Sequence, residues 1–122
     1  MRLSRRSTRL LRLAFWGASL FAFVMAIWPL PVKLPGDPSD KVQHIIAFAT
    51  LASLGSAAYQ RWPLIRLGIG LSAFGALIEI VQLIPALNRD GDVVDWIADT
   101  LATSLVLALA ALLRRRGGNR GT

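Results

Sequence analysis

Cysteine is absent from the chain, and histidine and acidic residues are scarce. The 122 residues include no Cys, one His and seven Asp or Glu, against 14 Lys or Arg. Without cysteine, disulfide bonds and cysteine-ligated metal sites are excluded. The sequence also lacks a nucleophile elbow, a P-loop and an HExxH zinc motif. No familiar catalytic signature therefore assigns a reaction.

Hydrophobic residues dominate what is present. They make up 54% of the chain, above the roughly 45–50% that is usual in soluble domains, and the mean hydropathy is +0.51. They fall in long runs and not in amphipathic stripes, which predicts an integral membrane protein with one domain over residues 1–122. The net charge of +7 would favour nucleic acid in a soluble protein. Here the basic residues flank the apolar runs, so we expect no nucleic-acid partner.

The apolar runs predict an all-α fold, a membrane-embedded four-helix bundle. The first run is longer than the apolar region of a signal peptide and is followed by no Ala-x-Ala-like site, so we interpret it as a membrane helix. An arginine-rich tail over residues 114–122 is predicted to be disordered. The four helices are predicted over residues 13–30, 42–60, 67–87 and 93–113.

The distribution of basic residues predicts the orientation in the membrane. Four spans place both termini on the same side, and eleven of the 14 basic residues fall on that side. The opposite side has only Lys33, Lys41 and Arg89. Because cytoplasmic loops of membrane proteins are enriched in Lys and Arg, both termini are predicted to be cytoplasmic.

Glu79 is the residue that most needs an explanation, because a carboxylate at membrane depth is costly and requires a partner. Short connections favour antiparallel neighbours, so the polar residues of helices 2, 3 and 4 are predicted to converge near the outer face. Three polar pairs have helical spacing that puts both members on one face. These pairs are Asp40 with His44, Glu79 with Gln82, and Asp95 with Asp99.

The predicted pocket contains more acids than bases, so some carboxylates are expected to be protonated or to bind a cation. Asp95 and Asp99 are the closest like charges and the best placed to share a proton or a metal. A divalent cation such as Mg²⁺ is the candidate cofactor, with Glu79, Asp95 and Asp99 as its ligands. His44 and Glu79 are the candidate catalytic residues. The predicted ligand-binding residues are Asp40, Lys41, Gln82, Arg89, Asp92, Asp95 and Asp99.

Structural alternatives exist for several of these residues taken singly. Asp40 is also placed to cap the second helix, and Lys41 to anchor at lipid headgroups. His44 is also explained as a polar residue with satisfied hydrogen bonds. Residues 89–92 are also explained as a solvated turn. Convergence of the whole set is what favours a functional site.

The order of these polar residues resembles that of the VanZ-like family of small bacterial membrane proteins. The resemblance extends from Asp40 to about Val106, with Asp99 where the family usually has Asn and Ala102 where it usually has Gly. It implies a location in the bacterial inner membrane and a role in the cell envelope at the outer leaflet, but no reaction. The family is named for a protein linked to resistance to the glycopeptide teicoplanin. The matching elements are Asp40-Lys41-x-x-His44, Phe48, Leu51, Ile78-Glu79-x-x-Gln82, Arg89 and Asp95.

Three hypotheses about function follow. In the first, the outer pocket binds a membrane lipid headgroup, a lipid-linked envelope precursor or a glycopeptide-type antibiotic, and Lys41 and Arg89 contact its anionic group. In the second, the chain is a membrane enzyme that acts on a lipid-linked, phosphate-containing substrate by acid–base or metal-assisted chemistry. The third is proton or ion translocation. Translocation is disfavoured because the inner half of the predicted bundle has no buried charged residue to continue a path across the membrane.

Overall fold

A computed structural model of the chain describes residues 3–28, 40–85 and 93–119, all within or beside helices. This confirms the prediction of an all-α chain with four helices. The helix ends differ from the predicted ones, and α1 begins well before residue 13. The helices are α1 (Arg5–Ile27), α2 (Asp40–Ala58), α3 (Leu64–Gln82) and α4 (Val93–Asn119).

The early start of α1 has a local cause. Ser4 is its N-cap, and the Ser4 hydroxyl accepts a hydrogen bond of 3.0 Å from the backbone N–H of Ser7. This bond satisfies one of the amides that have no partner in the first helical turn. Arginine is also a good helix former, so the helix extends beyond its apolar segment. Hydropathy locates a span, whereas capping locates the end of a helix.

Three of the four helices are long and apolar enough to cross a membrane. They are Arg5–Ile27, Leu64–Gln82 and Val93–Gly117, each with a mean hydropathy of 1.9 in its most apolar stretch. The second helix, α2, has the same 19-residue length as α3 but is not among them. Lys41, Gln43 and His44 near its start lower its hydropathy. The prediction of four spans is thus supported for three helices.

Contacts along α2 establish the relative directions of the helices. Lys41 near the start of α2 contacts Asp95 near the start of α4, and Ser56 near its end contacts Arg114. Therefore α2 and α4 run in the same direction. His44 lies beside Glu79 near the end of α3, so α3 runs the opposite way. The starts of α2 and α4 and the end of α3 meet at one end of the structure, which we call the polar end.

Close contacts between helices depend on glycine in the other half of the structure. A Cβ added to Gly55 would lie 2.9 Å from the Leu67 Cδ1 and 3.0 Å from the Phe15 Cε2. A Cβ on Gly68 would lie 3.2 Å from the Leu107 Cδ1. Small residues allow such approach, which matters in lipid because packing replaces the hydrophobic effect between helices.

The surface and interior have the distribution expected of a lipid-facing protein. Large apolar side chains such as Leu20, Ile69 and Leu105 are more than 60% exposed. Six polar side chains are buried among the described residues, in company with the apolar core residues. Contiguous apolar surface of this extent marks a membrane or partner interface. The buried polar residues are His44, Glu79, Gln82, Asp95, Asp99 and Thr103.

The predicted disorder of the arginine-rich tail is wrong for residues 114–119, which belong to α4. Arg114 donates hydrogen bonds of 2.8 Å to the Trp62 carbonyl, 3.1 Å to the Ser56 carbonyl and 3.3 Å to the Tyr59 carbonyl. These carbonyls lie in the last turn of α2 and just after it, where helix carbonyls lack intrahelical partners. The tertiary contact therefore fixes the end of α4 against the turn that follows α2.

Candidate functional site

Three buried side chains from three different helices meet near the polar end. The Nδ1 of His44 lies 3.0 Å and 3.2 Å from the two carboxylate oxygens of Asp99 and 3.8 Å from the Oε1 of Glu79. His44 and Glu79 are each 8% exposed, and Asp99 is fully buried. One potential ligand atom from each residue lies within 4.8 Å of the other two. We call His44, Glu79 and Asp99 the buried triad.

Helical spacing explains why these side chains face inward. His44 and Phe48 are four residues apart on α2, so they share a face, and Phe48 is only 1% exposed. On α3 the buried Gly75 and Glu79 are related in the same way. A Cβ on Gly75 would lie 3.2 Å from the Asp99 Oδ2 and 3.3 Å from the Phe48 Cζ. Gly75 therefore allows α3 to approach the Asp99 carboxylate.

A pair of opposite charges joins α2 to α4 one turn away from the buried triad. The Lys41 Nζ lies 3.2 Å from the Oδ1 of Asp95. The lysine side chain is 48% exposed, whereas the aspartate side chain is 4% exposed. This oxygen forms no hydrogen bond with the described residues, so the contact is an ion pair without hydrogen-bond geometry. The half-exposed side chain of Lys41 therefore places a positive charge beside the buried carboxylate of Asp95.

This arrangement changes the predicted metal set. Asp95 and Asp99 have separate basic neighbours, Lys41 and His44, although we expected the two acids to share a proton or a metal. Among the residues that the structure describes, Asp95 is not part of the group whose ligand atoms converge. The residues grouped around one point are His44, Glu79 and Asp99, whereas the predicted metal ligands are Glu79, Asp95 and Asp99. Helical spacing fixes a face of each helix but not which residues on two helices meet.

Gln82, a predicted ligand-binding residue, contacts the first helix. Its Nε2 donates a hydrogen bond of 3.0 Å to the carbonyl of Ala26, in the last turn of α1. The side chain is fully buried, and its Oε1 has no hydrogen-bond partner in the described part of the chain. The amide therefore satisfies a carbonyl at the end of α1 and connects α3 to that helix.

Two polar contacts that the sequence analysis missed connect α3 with α4 beside the buried triad. The Trp96 indole N–H donates to the Ser72 carbonyl at 3.0 Å, and the Ser72 and Thr100 hydroxyls lie 3.1 Å apart. Both contacts are partly buried and hold α4 against α3 near Asp99. The available signal was the helical spacing of Trp96 and Thr100, which places them on the same face.

An apolar cavity of about 310 Å³ lies between α1 and α2. His44 belongs both to the wall of this cavity and to the buried triad. Apolar atoms dominate the lining, which includes Ala18, Ala22 and Met25 from α1 and Ala47, Thr50 and Leu51 from α2. Small alanine side chains on the two facing helices leave this volume open. The sequence analysis did not predict the cavity, since it depends on how α1 and α2 pack.

The predicted site residues thus fall into four groups. His44, Glu79 and Asp99 come together, and Lys41 pairs with Asp95 one turn away. Gln82 contacts α1. Arg89, Asp92 and the side chain of Asp40 lie outside the described residues.

Comparisons of the chain with protein-family models, curated proteins and solved structures find no match. Any assignment of function must therefore start from the geometry of the buried triad and the adjacent cavity.

Proposed function

We propose that the chain is a VanZ-like membrane protein of the bacterial inner membrane. All four helices cross the bilayer, both termini are cytoplasmic, and the polar end lies at the outer leaflet. The alternating helix directions and the three apolar helices support this arrangement. The α2 helix crosses with them because its polar start contacts the acids of α3 and α4. Arginines at the opposite end, including Arg12, Arg61 and Arg114, agree with the positive-inside rule.

In this proposal the protein binds an amphiphile. The hydrocarbon chain occupies the cavity between α1 and α2, and the headgroup contacts the polar residues. The observation that carries the proposal is the position of His44, which contributes to both the apolar cavity and the buried triad. A ligand that enters the cavity from the lipid would therefore meet an imidazole backed by two carboxylates.

The volume and charge define the class of amphiphile. A cavity of about 310 Å³ is at the small end of ligand pockets, which span roughly 300–1,000 Å³. It suits a single hydrocarbon chain. The half-exposed Lys41 is placed to contact a phosphate or carboxylate, and the carboxylates of the buried triad to accept hydrogen bonds from hydroxyl or amino groups. A membrane lipid, a lipid-linked envelope precursor and an acylated glycopeptide share this chemistry.

Photolabelling tests whether the cavity holds a chain. The full-length protein in bacterial lipid vesicles is irradiated with a phospholipid that carries a diazirine on its acyl chain. We expect crosslinks at α1 and α2, and their loss in Ala22→Phe and Ala47→Phe, whose rings fill the cavity. Ala14→Phe, at an exposed position of α1, is the matched control and should label as the wild type does. Equal labelling of all four proteins would reject the cavity as the binding site.

Two further experiments distinguish a lipid-linked precursor and an antibiotic from an ordinary membrane lipid as the ligand. Competition by a single-chain prenyl phosphate, but not by a second phospholipid, identifies a lipid-linked precursor. Teicoplanin susceptibility tests the antibiotic. If the protein binds that drug to protect the cell, susceptibility rises on deletion and falls on overexpression. Unchanged susceptibility in both strains excludes this version.

The second candidate function is an enzyme that acts on a lipid-linked, phosphate-containing substrate. It is favoured by the hydrogen-bonded contact between the Asp99 carboxylate and the Nδ1 of His44, because a carboxylate on one ring nitrogen orients an imidazole for acid–base chemistry. If the chain is such an enzyme, a Glu79→Ala or His44→Gln strain accumulates the lipid-linked substrate. Lipid profiles identical to those of the wild type would exclude this function.

A further inference from the structure

The donor atoms of the buried triad are those of a transition-metal site. They comprise one imidazole nitrogen and oxygens from two carboxylates, contributed by α2, α3 and α4. Imidazole favours zinc and related metals, whereas Mg²⁺ prefers oxygen ligands and retains several waters. We propose that His44, Glu79 and Asp99 bind one divalent transition-metal ion of the Zn²⁺ class. This assignment differs from the all-carboxylate Mg²⁺ site expected from the sequence.

The distances are compatible with direct coordination. Zinc bonds to nitrogen and oxygen are each about 2.1 Å long, so two tetrahedral ligands lie about 3.4 Å apart. The His44 Nδ1 is 3.0 Å from the Asp99 Oδ1 and 3.8 Å from the Glu79 Oε1, on either side of that value. Each of these two distances is within about 0.4 Å of the tetrahedral value, and all three ligand atoms lie within 4.8 Å of one another.

The total charge of the three ligands also matches that of a divalent cation. With a neutral imidazole, the side chains of Glu79 and Asp99 carry two negative charges, which a divalent cation neutralises. The Nδ1 of His44 coordinates only without a proton, so the neutral ring carries its single proton on Nε2 when the metal is bound, and the metal replaces the contact between Nδ1 and Asp99. A doubly protonated ring would release one proton to solvent on binding. In a site from which water is largely excluded, a neutral cluster is favoured over separate charges.

Two further features fit a bound ion. Gly75 leaves the Asp99 carboxylate room beside α3, since a Cβ there would contact its Oδ2 at 3.2 Å. His44 also forms part of the cavity wall, so the buried triad borders the cavity. Three protein ligands leave a fourth position for water or a ligand group, as in catalytic zinc sites, whereas structural sites are closed by four. Cation binding here does not require the lipid proposed above.

Cobalt is the probe, because Co²⁺ replaces Zn²⁺ and has visible absorption that reports its ligands. The full-length protein in detergent micelles is stripped with a chelator and titrated with Co²⁺ alone. We expect one equivalent per chain, with an absorption spectrum of four-coordinate cobalt, and displacement by Zn²⁺ but not by Mg²⁺. Protons compete for the same ligands, so the affinity should fall as the pH is lowered.

The variants Glu79→Gln and Asp99→Asn keep side-chain volume and remove one anionic ligand each. We expect each to weaken Co²⁺ binding about a hundredfold or more. Thr103→Val is the matched control, since Thr103 is buried four residues after Asp99 on α4 and is outside the buried triad. It should bind as the wild type does. Helicity measured by circular dichroism identifies any variant that fails to fold. If either Glu79→Gln or Asp99→Asn fails to fold, the cobalt affinity of the other variant tests the site.

Two results would overturn the metal site. One is that the folded wild-type protein binds no Co²⁺ or Zn²⁺, which would leave the buried triad as a hydrogen-bonded cluster. The other is equal affinity in the wild type, Glu79→Gln and Thr103→Val, which would place the ion elsewhere. In either case the photolabelling of the cavity is unaffected, so the two proposals fail separately.

Discussion

The two halves of the structure are held together by different contacts along the same helices. In the polar half, the pairs Lys41–Asp95 and His44–Asp99 join α2 to α4. In the other half, which we call the apolar half, glycine packs against large apolar side chains, as at Gly55 with Leu67, and Arg114 donates hydrogen bonds to carbonyls near the end of α2. Close packing and interhelical hydrogen bonds hold helices together in lipid, whereas a buried ion pair is weak evidence for stability. The comparison therefore assigns close packing to the apolar half and ligand chemistry to the polar half, where removing one member of a buried pair still leaves its partner uncompensated.

The largest expected effect is in the polar half. His44→Ala removes the base that faces two buried carboxylates, and we expect it to lower the free energy of unfolding by about 3 kcal/mol or more. Reversible unfolding in mixed detergent micelles, followed by circular dichroism, measures the loss. The double variant His44→Leu/Asp99→Leu should cost less than the two single variants together, because it removes both partners. A loss under about 1 kcal/mol for His44→Ala would show that the buried triad is not electrostatically coupled.

The second effect tests the apolar half. Gly55→Leu forces new atoms against Leu67 and Phe15, and overpacking of this kind costs about 2–3 kcal/mol. Gly70→Leu is the control, since no atom of the described structure lies within 4 Å of a Cβ added at that position. Folded Gly55→Leu protein should still bind one Co²⁺ per chain. If cobalt binding is lost while helicity is retained, the two halves are not separable.

The third effect concerns the end of α4. Arg114→Ala removes three hydrogen bonds to carbonyls near the end of α2, and we expect a loss of about 2 kcal/mol. Arg115→Ala is the control because the adjacent Arg115 is exposed. Both variants remove one charge, so a difference between them measures the contact and not the charge. Equal unfolding curves would contradict the role of Arg114 as an anchor.

The smallest effect distinguishes a structural amide from a ligand. Gln82→Leu leaves the Ala26 carbonyl without its donor and should cost about 1 kcal/mol, the usual range for interhelical hydrogen bonds in membranes. Faster hydrogen exchange near the end of α1 would accompany it. Leu83→Ala, at an exposed neighbour, should leave that exchange unchanged. Reduced crosslinking to a lipid headgroup in Gln82→Leu, with α1 unaffected, would support the predicted role of Gln82 as a ligand-binding residue.

The number and order of helices could be predicted from the apolar runs, because membrane-length hydrophobic segments have few other structures available to them. The helix ends could not. Ser4 extends α1 by capping it, and Arg114 fixes α4 through carbonyls more than fifty residues earlier in the chain. Neither contact can be predicted from the hydropathy of the segment that contains it.

The convergence of His44, Glu79 and Asp99 could also be predicted, because alternating helix directions put their depths in register. The choice of partners could not be predicted. His44 meets Asp99 and Lys41 meets Asp95 because of the axial offset between α2 and α4, which helical spacing within each helix does not specify. The cavity escaped prediction for a similar reason, since it depends on the packing of Ala22 and Ala47 on facing helices.

The low hydropathy of α2 also has a consequence for biosynthesis. Lys41 and His44 enter the translocon before α4, which carries Asp95 and Asp99, has been translated. Until that last segment emerges from the ribosome, α2 lacks the two acids that balance its basic residues in the finished protein. If α2 crosses the membrane as proposed, we expect a nascent chain that stops before α4 to insert α2 poorly, and stable insertion of α2 to require synthesis of the final helix.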